Sequence, residues 1–309
     1  MTRFLCICLA LCSLFSQSVI AGRLPDSLKF DQVADGVYVY TGKIEDVFSS
    51  PYGLVANSTF IVGDKSVAVI DTGTSLRQGR LIRKAIRDVT SLPVSHVINS
   101  HVHLDHIFGN RAFLDDHPEF VAHKKILSDL QSKAPYYQDR LADQPNSLWY
   151  KGTGPVKPTL LIEKVTEIDL GGRLLMLEPH GRAHTLHDLS VYDQKTRTLI
   201  TGDLVFEQHC PSIDGSITGW ITVLEGLRTL PYDRLVPGHG RVLSGTEEID
   251  KQIAYLSALT DAVREAVANQ VDIYTASTTL LQDHRDNWKL FDAFHARNVI
   301  QAYKELEWE

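Results

Sequence analysis

The chain has 309 residues, of which 43% are hydrophobic and 22% are charged, and its formal net charge is −7. This length and composition are enough to bury a substantial core, and the length allows one large domain or two. The negative net charge and the lack of a long basic run argue against a nucleic-acid partner, since such partners usually require a basic surface.

The first residues have the pattern of a secretory signal peptide. Arg3 provides a positive charge, residues 4–15 are apolar, and small residues at 19–21 suit cleavage before Gly22. The apolar run is too short to span a bilayer comfortably, so we do not expect an integral membrane protein. We expect residues 1–21 to be removed and the mature protein to be periplasmic or secreted.

The cysteines become informative once this segment is set aside. Three of the four, Cys6, Cys8 and Cys12, lie within it, and only Cys210 remains in the mature chain. No intramolecular disulfide can then form, even in an oxidising compartment. Stability must therefore come from the core and from any bound metal.

The first half of the mature chain alternates strand and helix patterns. Residues 76–89 carry apolar side chains at helical spacing, whereas 67–70 is a short β-branched run that ends at Asp71. The predicted order is strands at 36–40, 54–62 and 67–70, a helix at 76–89, a strand at 94–99 and a helix at 123–141. Residues 142–158 are rich in Gly and Pro, and we expect them to form a mobile flap over the site.

The second half repeats this arrangement. Strands are predicted at 171–177, 189–192, 199–201 and 235–236, and helices at 220–230, 246–269 and 288–307. The predicted fold class is α+β, an αββα sandwich of two mixed sheets packed face to face with helices outside. No linker marks a second domain. We expect one domain over 22–309, with a C-terminal helical extension at about 246–309.

The stretch His101-Val-His103-Leu-Asp105-His106 predicts a metal site. It places three imidazoles and one carboxylate within six positions, and these are ligands that zinc and similar ions prefer. On a helix, side chains two positions apart diverge, but on a strand end or in a loop they can share an ion. Asp105 and His106 follow at the turn into a predicted helix, where a second ion could bind. A histidine-rich surface loop is the simpler alternative, and the spacing argues against it.

This stretch resembles the H-x-H-x-D-H signature of the metallo-β-lactamase superfamily. Residues 55–57, 206–220 and 234–240 resemble its subgroup of quinoprotein relay system zinc metallohydrolases, which is associated with sulfur oxidation. The likeness runs from about residue 30 to 245. It implies the metallo-β-lactamase fold and a site with two zinc ions, although iron remains an alternative metal.

The resemblance also implies roles for individual residues. Three histidines compete in one loop, His180, His184 and His187; spacing does not choose among them, and the Ala-His-Thr match selects His184. The implied ligands are His101, His103 and His184 for one ion, Asp105, His106 and His239 for the other, and Asp203 as the bridge. Asp71 would orient a ligating histidine, and Asp105 would also be catalytic by orienting the attacking hydroxide or moving its proton. The weaker candidates for substrate contact are Asn57, His209 and Asp214.

These residues lead to a functional expectation. The chain is expected to be an exported dinuclear zinc hydrolase that uses a metal-generated hydroxide on a small-molecule ester, thioester or lactam-type bond. Two alternatives stay open. One is an iron-dependent oxygenase of the persulfide type, and the other is a metal-loaded binding or relay partner of a periplasmic quinoprotein dehydrogenase.

Overall fold

A computed structural model describes residues 25–309. The predicted signal peptide and its three cysteines lie outside these residues. The strands are β1 (Asp31–Ala34), β2 (Val37–Tyr40), β3 (Ser58–Val62), β4 (Val67–Ile70), β5 (Val94–Ile98), β6 (Glu119–His123), β7 (Leu160–Ile162), β8 (Thr166–Asp169), β9 (Leu174–Pro179), β10 (Leu189–Asp193), β11 (Thr198–Phe206) and β12 (Arg234–His239). The α-helices are α1 (Leu76–Val89), α2 (Leu104–Ile107), α3 (Ile126–Ala142), α4 (Ile217–Arg228), α5 (Glu247–Ala268), α6 (Ile273–Thr279) and α7 (Phe291–Leu306). Shorter 3₁₀ segments span Asn110–Asp116, Ser147–Tyr150 and Gln282–Asn287.

The strands form two mixed sheets. The seven-stranded sheet has the order β1-β2-β3-β4-β5-β6-β7, antiparallel up to β4 and parallel from β4 to β7. The five-stranded sheet has the order β12-β11-β10-β9-β8, and only its β11–β12 pair is parallel. Parallel strands run in one direction, so β4 and β5 end at the same edge of the first sheet, and β11 and β12 end together in the second.

The strand β4 shows how the layers are divided. All four of its residues are buried, as expected for a strand covered on both faces. Ala68 and Ile70 belong to the apolar core between the two sheets, whereas Val67 and Val69 belong to the core under the outer helices. This alternation follows from the two-residue period of a strand.

The helices form the two outer layers. Apolar residues of α1, α2 and α3 share one core with the outer face of the seven-stranded sheet. Residues of α4 to α7 share another core with the five-stranded sheet, in which Trp220 and Tyr255 are among the largest fully buried side chains. This is the predicted αββα sandwich, and the fold class is confirmed.

Several predicted elements differ in their bounds. The strand predicted at 54–62 begins only at Ser58, because residues 54–57 form a turn in which Asn57 N donates to Gly238 O at 2.8 Å. Five elements, β1, β6, β7, β8 and α6, had no corresponding prediction. Each has only three to seven residues, which is too short for a clear periodic signal.

The prediction that residues 142–158 form a flap over the site is wrong, because none of them lines the cavity above the metal donors. Trp149 and Tyr150 are buried, the Trp149 ring lies 4.9 Å from that of Tyr52, and Thr153 Oγ1 accepts from Leu76 N at 3.0 Å. The segment is therefore packed beside the start of α1. Among residues 25–309, no helix combines the length and apolar character needed to cross a bilayer.

Candidate metal centre

Seven side chains from separate parts of the chain meet where strands of both sheets end. His101 and His103 follow β5, Asp105 and His106 lie in α2, and His239 ends β12. His184 lies in the loop between β9 and β10, and Asp203 lies in β11. Six of the seven are buried, with His103 half-buried, and they form two groups of metal-compatible donors: His101, His103, His184 and Asp203, and Asp105, His106 and His239.

In the first group, one ring nitrogen from each of three histidines faces the other two. His103 Nδ1 lies 3.0 Å from His101 Nε2 and 3.1 Å from His184 Nε2. Asp203 Oδ2 completes the group, 3.7 Å from His101 Nε2 and 3.5 Å from His184 Nε2. Donors bound tetrahedrally to zinc at 2.0–2.1 Å lie about 3.3 Å apart, so these separations match the edges of such a site.

The second group uses the other oxygen of the same aspartate. Asp203 Oδ1 lies 3.2 Å from His106 Nε2 and 3.4 Å from His239 Nε2. Asp105 Oδ2 lies 3.5 Å from His239 Nε2 and 3.8 Å from His106 Nε2. The two oxygens of Asp203 therefore face the two groups separately, which is the arrangement of a carboxylate that bridges two cations.

Two buried atoms at this junction have no hydrogen-bond partner, His106 Nε2 and Asp203 Oδ1. Unsatisfied buried polar atoms are rare and costly, and a bound cation would satisfy both. Burial alone would lower the pKa of His106, but the nearby carboxylates of Asp203 and Asp71 raise that pKa well above its usual value. The junction therefore favours positive charge, and its donor set fits two divalent metals.

The outward nitrogen of each histidine is held by another group. His106 Nδ1 donates to Asp71 Oδ2 at 2.7 Å, and His101 Nδ1 contacts Ser100 Oγ at 2.9 Å. The remaining bonds are His103 Nε2 to Asp214 Oδ2 (2.9 Å), His184 Nδ1 to Ser212 O (2.6 Å) and His239 Nδ1 to Val55 O (3.0 Å). These partners occupy the outward nitrogen of each ring and leave the inward nitrogen directed at the centre, where it could bind a metal ion.

The structure separates the three competing loop histidines. His184 lies in the first group, and burial lowers its pKa to about 3. His180 Nε2 instead contacts Ser190 Oγ at 2.8 Å, and His187 Nε2 contacts Asp129 Oδ2 at 3.3 Å. Of the three, only His184 is placed to bind a metal.

The three residues expected to contact substrate have different environments. Asn57 does not line the cavity, because its amide accepts from Gly42 N and donates to Pro237 O and Gly240 O. This corrects the expectation for Asn57, which instead holds the backbone around His239. His209 and Asp214 both line the cavity, but the carboxylate of Asp214 is occupied by His103 and by Lys133 Nζ.

A cavity of about 300 Å³ opens over the two groups. Its metal side includes Asp105, Asp203 and His239, and its outer wall comes from the loop at 45–48, from α3 and from α7. The residues of that wall are Glu45, Asp46, Val47, Phe48, Tyr136, Tyr137, Phe294 and Arg297. The site can thus place a small molecule with an apolar portion beside the metal donors.

The eight wall residues were missed by the sequence reasoning, as were the groups that hold the histidines, apart from Asp71. Val55 and Ser212 act through backbone carbonyls, which are the same for every residue type. Lys133 and Arg297 lie on long helices, where single basic side chains are common. Ser100 was the exception that could have been found, since it directly precedes His101 at a strand end.

Gly238 allows the backbone of β12 to approach the donors closely. A Cβ atom at this position would overlap Asp203 Oδ1, the oxygen that faces the second group. Only glycine leaves that carboxylate in place.

Comparisons with known proteins identify relatives of this chain. The linear primary-alkylsulfatase of Pseudomonas sp. (strain ATCC 19151) is 22% identical over 226 residues, which is 62% of this chain and 42% of the relative. This chain therefore spans less than half of that relative's length. The 2,4-dinitroanisole O-demethylase subunit alpha of Nocardioides sp. (strain JS1661) is 29% identical over 251 residues, 78% of this chain and 71% of the relative.

The solved structure of a metallo-β-lactamase from Pontibacter korlensis has the same fold, with a TM-score of 0.59 at 18% identity over 75% of this chain and 99% of that one. The family model of the metallo-β-lactamase superfamily matches residues 51–239, which include all seven donors. The chain belongs to the metallo-β-lactamase superfamily.

Proposed function

We propose that the chain is an exported, dinuclear zinc-dependent hydrolase of small molecules. The observation that carries this proposal is the position of Asp203, whose two oxygens face two separate groups of donors. Membership of the superfamily supports the reaction type, and the unsatisfied atoms of His106 and Asp203 support occupancy of the site by cations.

Two divalent ions held by these side chains would bring the pKa of a water molecule toward ~7 and polarise the substrate bond. Asp105 lines the cavity beside His239, so its carboxylate can orient the attacking water or accept its proton. Tyr137 lies on the same cavity wall, and burial raises the pKa of its phenol, which stays protonated and can donate a hydrogen bond. No serine or cysteine nucleophile is required.

The substrate class follows from the wall of the cavity. Phe48, Tyr136 and Phe294 can contact an apolar alkyl or aryl portion, while the bond to be cleaved lies beside Asp105. We propose an ester, thioester or lactam-type bond next to such a portion. The names of the relatives add alkyl sulfate esters and aryl methyl ethers as substrates to test.

Metal analysis of the purified mature protein tests the proposal. We expect about two equivalents of zinc, as a dinuclear site requires. Asp203→Ala should lose more metal than the single-donor variant His239→Ala, since Asp203 serves both groups. Asp169→Ala is a control, because Asp169 lies at the exposed end of β8 and outside both groups.

A panel of matched esters, thioesters, lactams, alkyl sulfates and aryl methyl ethers then measures turnover by the zinc-loaded protein. One equivalent of iron in place of two of zinc would contradict the proposal and favour the oxygenase. Full zinc loading without turnover across the panel would favour the binding or relay partner of a quinoprotein system.

Export is part of the same proposal and rests on the pattern of residues 1–21. N-terminal sequencing of the protein from the exporting cell should find Gly22 first, and an intact Met1 would contradict it. The link to a periplasmic quinoprotein system rests on the likeness of residues 206–220 and stays a prediction.

A further inference from the structure

The loop from Cys210 to Asp214 contacts the first group of donors at two neighbouring points. Ser212 O accepts from His184 Nδ1 at 2.6 Å, and Asp214 Oδ2 accepts from His103 Nε2 at 2.9 Å. Two of the three histidines in that group are thus oriented by one short loop. Their orientation depends on whatever holds this loop in place.

Asn298 of α7 holds the loop on both sides of Ser212. Its Oδ1 accepts from Ile213 N at 2.9 Å, and its Nδ2 donates to Pro211 O at 2.6 Å. These two bonds fix the peptide groups immediately before and after the residue whose carbonyl holds His184. The side chain is 1% exposed, so water cannot replace either bond.

The amide of Asn298 is itself fixed. Its Nδ2 also donates to Tyr255 Oη at 3.1 Å, and that hydroxyl contacts His295 Nδ1 at 2.9 Å. The backbone partners require an acceptor toward Ile213 and a donor toward Pro211, so only one orientation of the amide satisfies both. The amide of Asn298 therefore has one hydrogen-bonding arrangement, and the position of the loop depends on the position of α7.

We infer that Asn298 is a positioning residue for the metal centre, acting through the Ser212 carbonyl on His184. The inference rests on the proposed function, because it takes His101, His103, His184 and Asp203 to bind one ion. Asn298 lies outside the matched family region of 51–239. The C-terminal helix that supplies Phe294 and Arg297 to the cavity wall thus also orients a metal ligand.

The affinity for zinc provides a test that does not depend on activity. The parent for the test is His239→Ala, which removes a donor of the second group and keeps all four donors of the first. In this parent, Asn298→Ala deletes both bonds to the loop. Asn298→Asp keeps the shape of the side chain but places an acceptor against Pro211 O.

We expect both Asn298 substitutions to lower the affinity for the remaining zinc ion by ~10–100-fold. This is the usual effect of losing a hydrogen-bond partner that orients a ligating histidine. Val299→Ala is the matched control, since Val299 is the adjacent residue of α7, is fully buried and makes no contact with the loop through hydrogen bonds. Its zinc affinity should equal that of the parent. Zinc affinity is measured by competition with a chromophoric chelator, on samples whose folded state is verified by circular dichroism.

The outcomes are distinct. A parent that binds no zinc would contradict the proposed function itself. A parent that binds zinc together with folded Asn298→Asp protein of unchanged affinity would overturn the inference. Equal loss of affinity in Val299→Ala would also overturn it, because the effect would then be general destabilisation of α7. If Asn298→Ala fails to fold, Asn298→Asp decides the result, with Tyr255→Phe as a milder variant expected to weaken zinc binding less.

Discussion

Asp71 accepts three hydrogen bonds and thereby connects two histidines of different donor groups. Its Oδ2 accepts hydrogen bonds from His106 Nδ1 at 2.7 Å and from Ser100 Oγ at 2.6 Å. Its Oδ1 accepts from Ser100 N at 2.8 Å. Ser100 Oγ in turn contacts His101 Nδ1 at 2.9 Å. One carboxylate therefore orients His106 directly and His101 through a hydroxyl. Asp71 also has a positive φ of 57°, an uncommon backbone conformation for a residue other than glycine.

The first prediction concerns this carboxylate. Asp71→Asn replaces one carboxylate oxygen with an NH₂ group, which cannot accept from His106 or Ser100. We expect zinc affinity to fall by ~10–100-fold while the fold is retained. Equilibrium competition with a chelator measures the change. Asp169→Asn, an exposed strand-end aspartate, should bind zinc as the wild type does, and an unaffected Asp71→Asn would contradict the assigned role.

The second prediction separates the three histidines of one loop. His184→Ala removes a donor of the first group, whereas His180→Ala and His187→Ala remove groups that contact Ser190 and Asp129. After identical dialysis, we expect His184→Ala to retain about one equivalent fewer than wild type, because one group has lost a direct ligand. The other two variants should keep both. Loss of an ion from His187→Ala with retention in His184→Ala would reverse the assignment.

The third prediction concerns Tyr137. Its phenol lines the cavity, and burial together with the charges of Asp214 and Asp105 raises its pKa. As a neutral donor beside the reacting bond, it can stabilise negative charge that develops on the substrate oxygen. Removing one such donor typically costs ~10²–10³ in kcat, and we expect Tyr137→Phe to show this loss with zinc content unchanged.

Tyr136→Phe is the matched control for this test. Tyr136 is the adjacent residue of α3 and is 56% exposed, so its hydroxyl has no buried bond to lose. We expect a change in kcat well below that of Tyr137→Phe on the same substrate. An unchanged kcat in Tyr137→Phe would remove this residue from the mechanism.

The fourth prediction concerns a buried ion pair that joins the two sheets. Arg173 Nε and Nη2 donate to Asp193 at 3.0 and 2.7 Å, and Arg173 Nη1 donates to Val62 O of β3 at 2.8 Å. Arg173→Met leaves the charge of Asp193 buried and without its cation. Breaking a buried pair in this way typically costs ~3–5 kcal/mol, and urea unfolding of the metal-free protein measures it.

The double variant Arg173→Met/Asp193→Leu should recover much of this loss, because no unpaired charge remains. Arg264→Met serves as the surface control. Its partner Glu309 is about half exposed, so we expect little change in the free energy of unfolding. A small effect of Arg173→Met would contradict a structural role for the buried pair.

Part of the metal site was predictable from the residues alone, because four of its donors are grouped in sequence. His101, His103, Asp105 and His106 lie within six consecutive positions. The resemblance to the superfamily supplied His184, Asp203 and His239. The long helices were also predictable, since α1 and α5 carry apolar residues at helical spacing over 14 and 22 residues. Short strands such as β7 carry three residues, and a period cannot be read from so few.

The errors have a common physical origin. Residues 142–158 have a loop-like composition, but Trp149 and Tyr150 bury large apolar rings and hold the segment against the body of the protein. Asn57 is polar and lies in a segment that resembles the subgroup, yet its side-chain amide is hydrogen-bonded to three backbone groups. Composition reports the chemistry of a side chain and not which partner it meets.

The sequence by itself therefore determined the donors of the stretch from His101 to His106, their order along the chain and the αββα arrangement of strands and helices, because these depend on local spacing and periodicity. The tertiary structure decided which atoms face one another. It directed the two oxygens of Asp203 toward two donor groups, placed His184 in the first of them and set Asn298 against the Ser212 loop. Each of these contacts joins residues that are distant in sequence. Such contacts arise only when separate elements pack, since packing sets the distances that hydrogen bonds and metal coordination require.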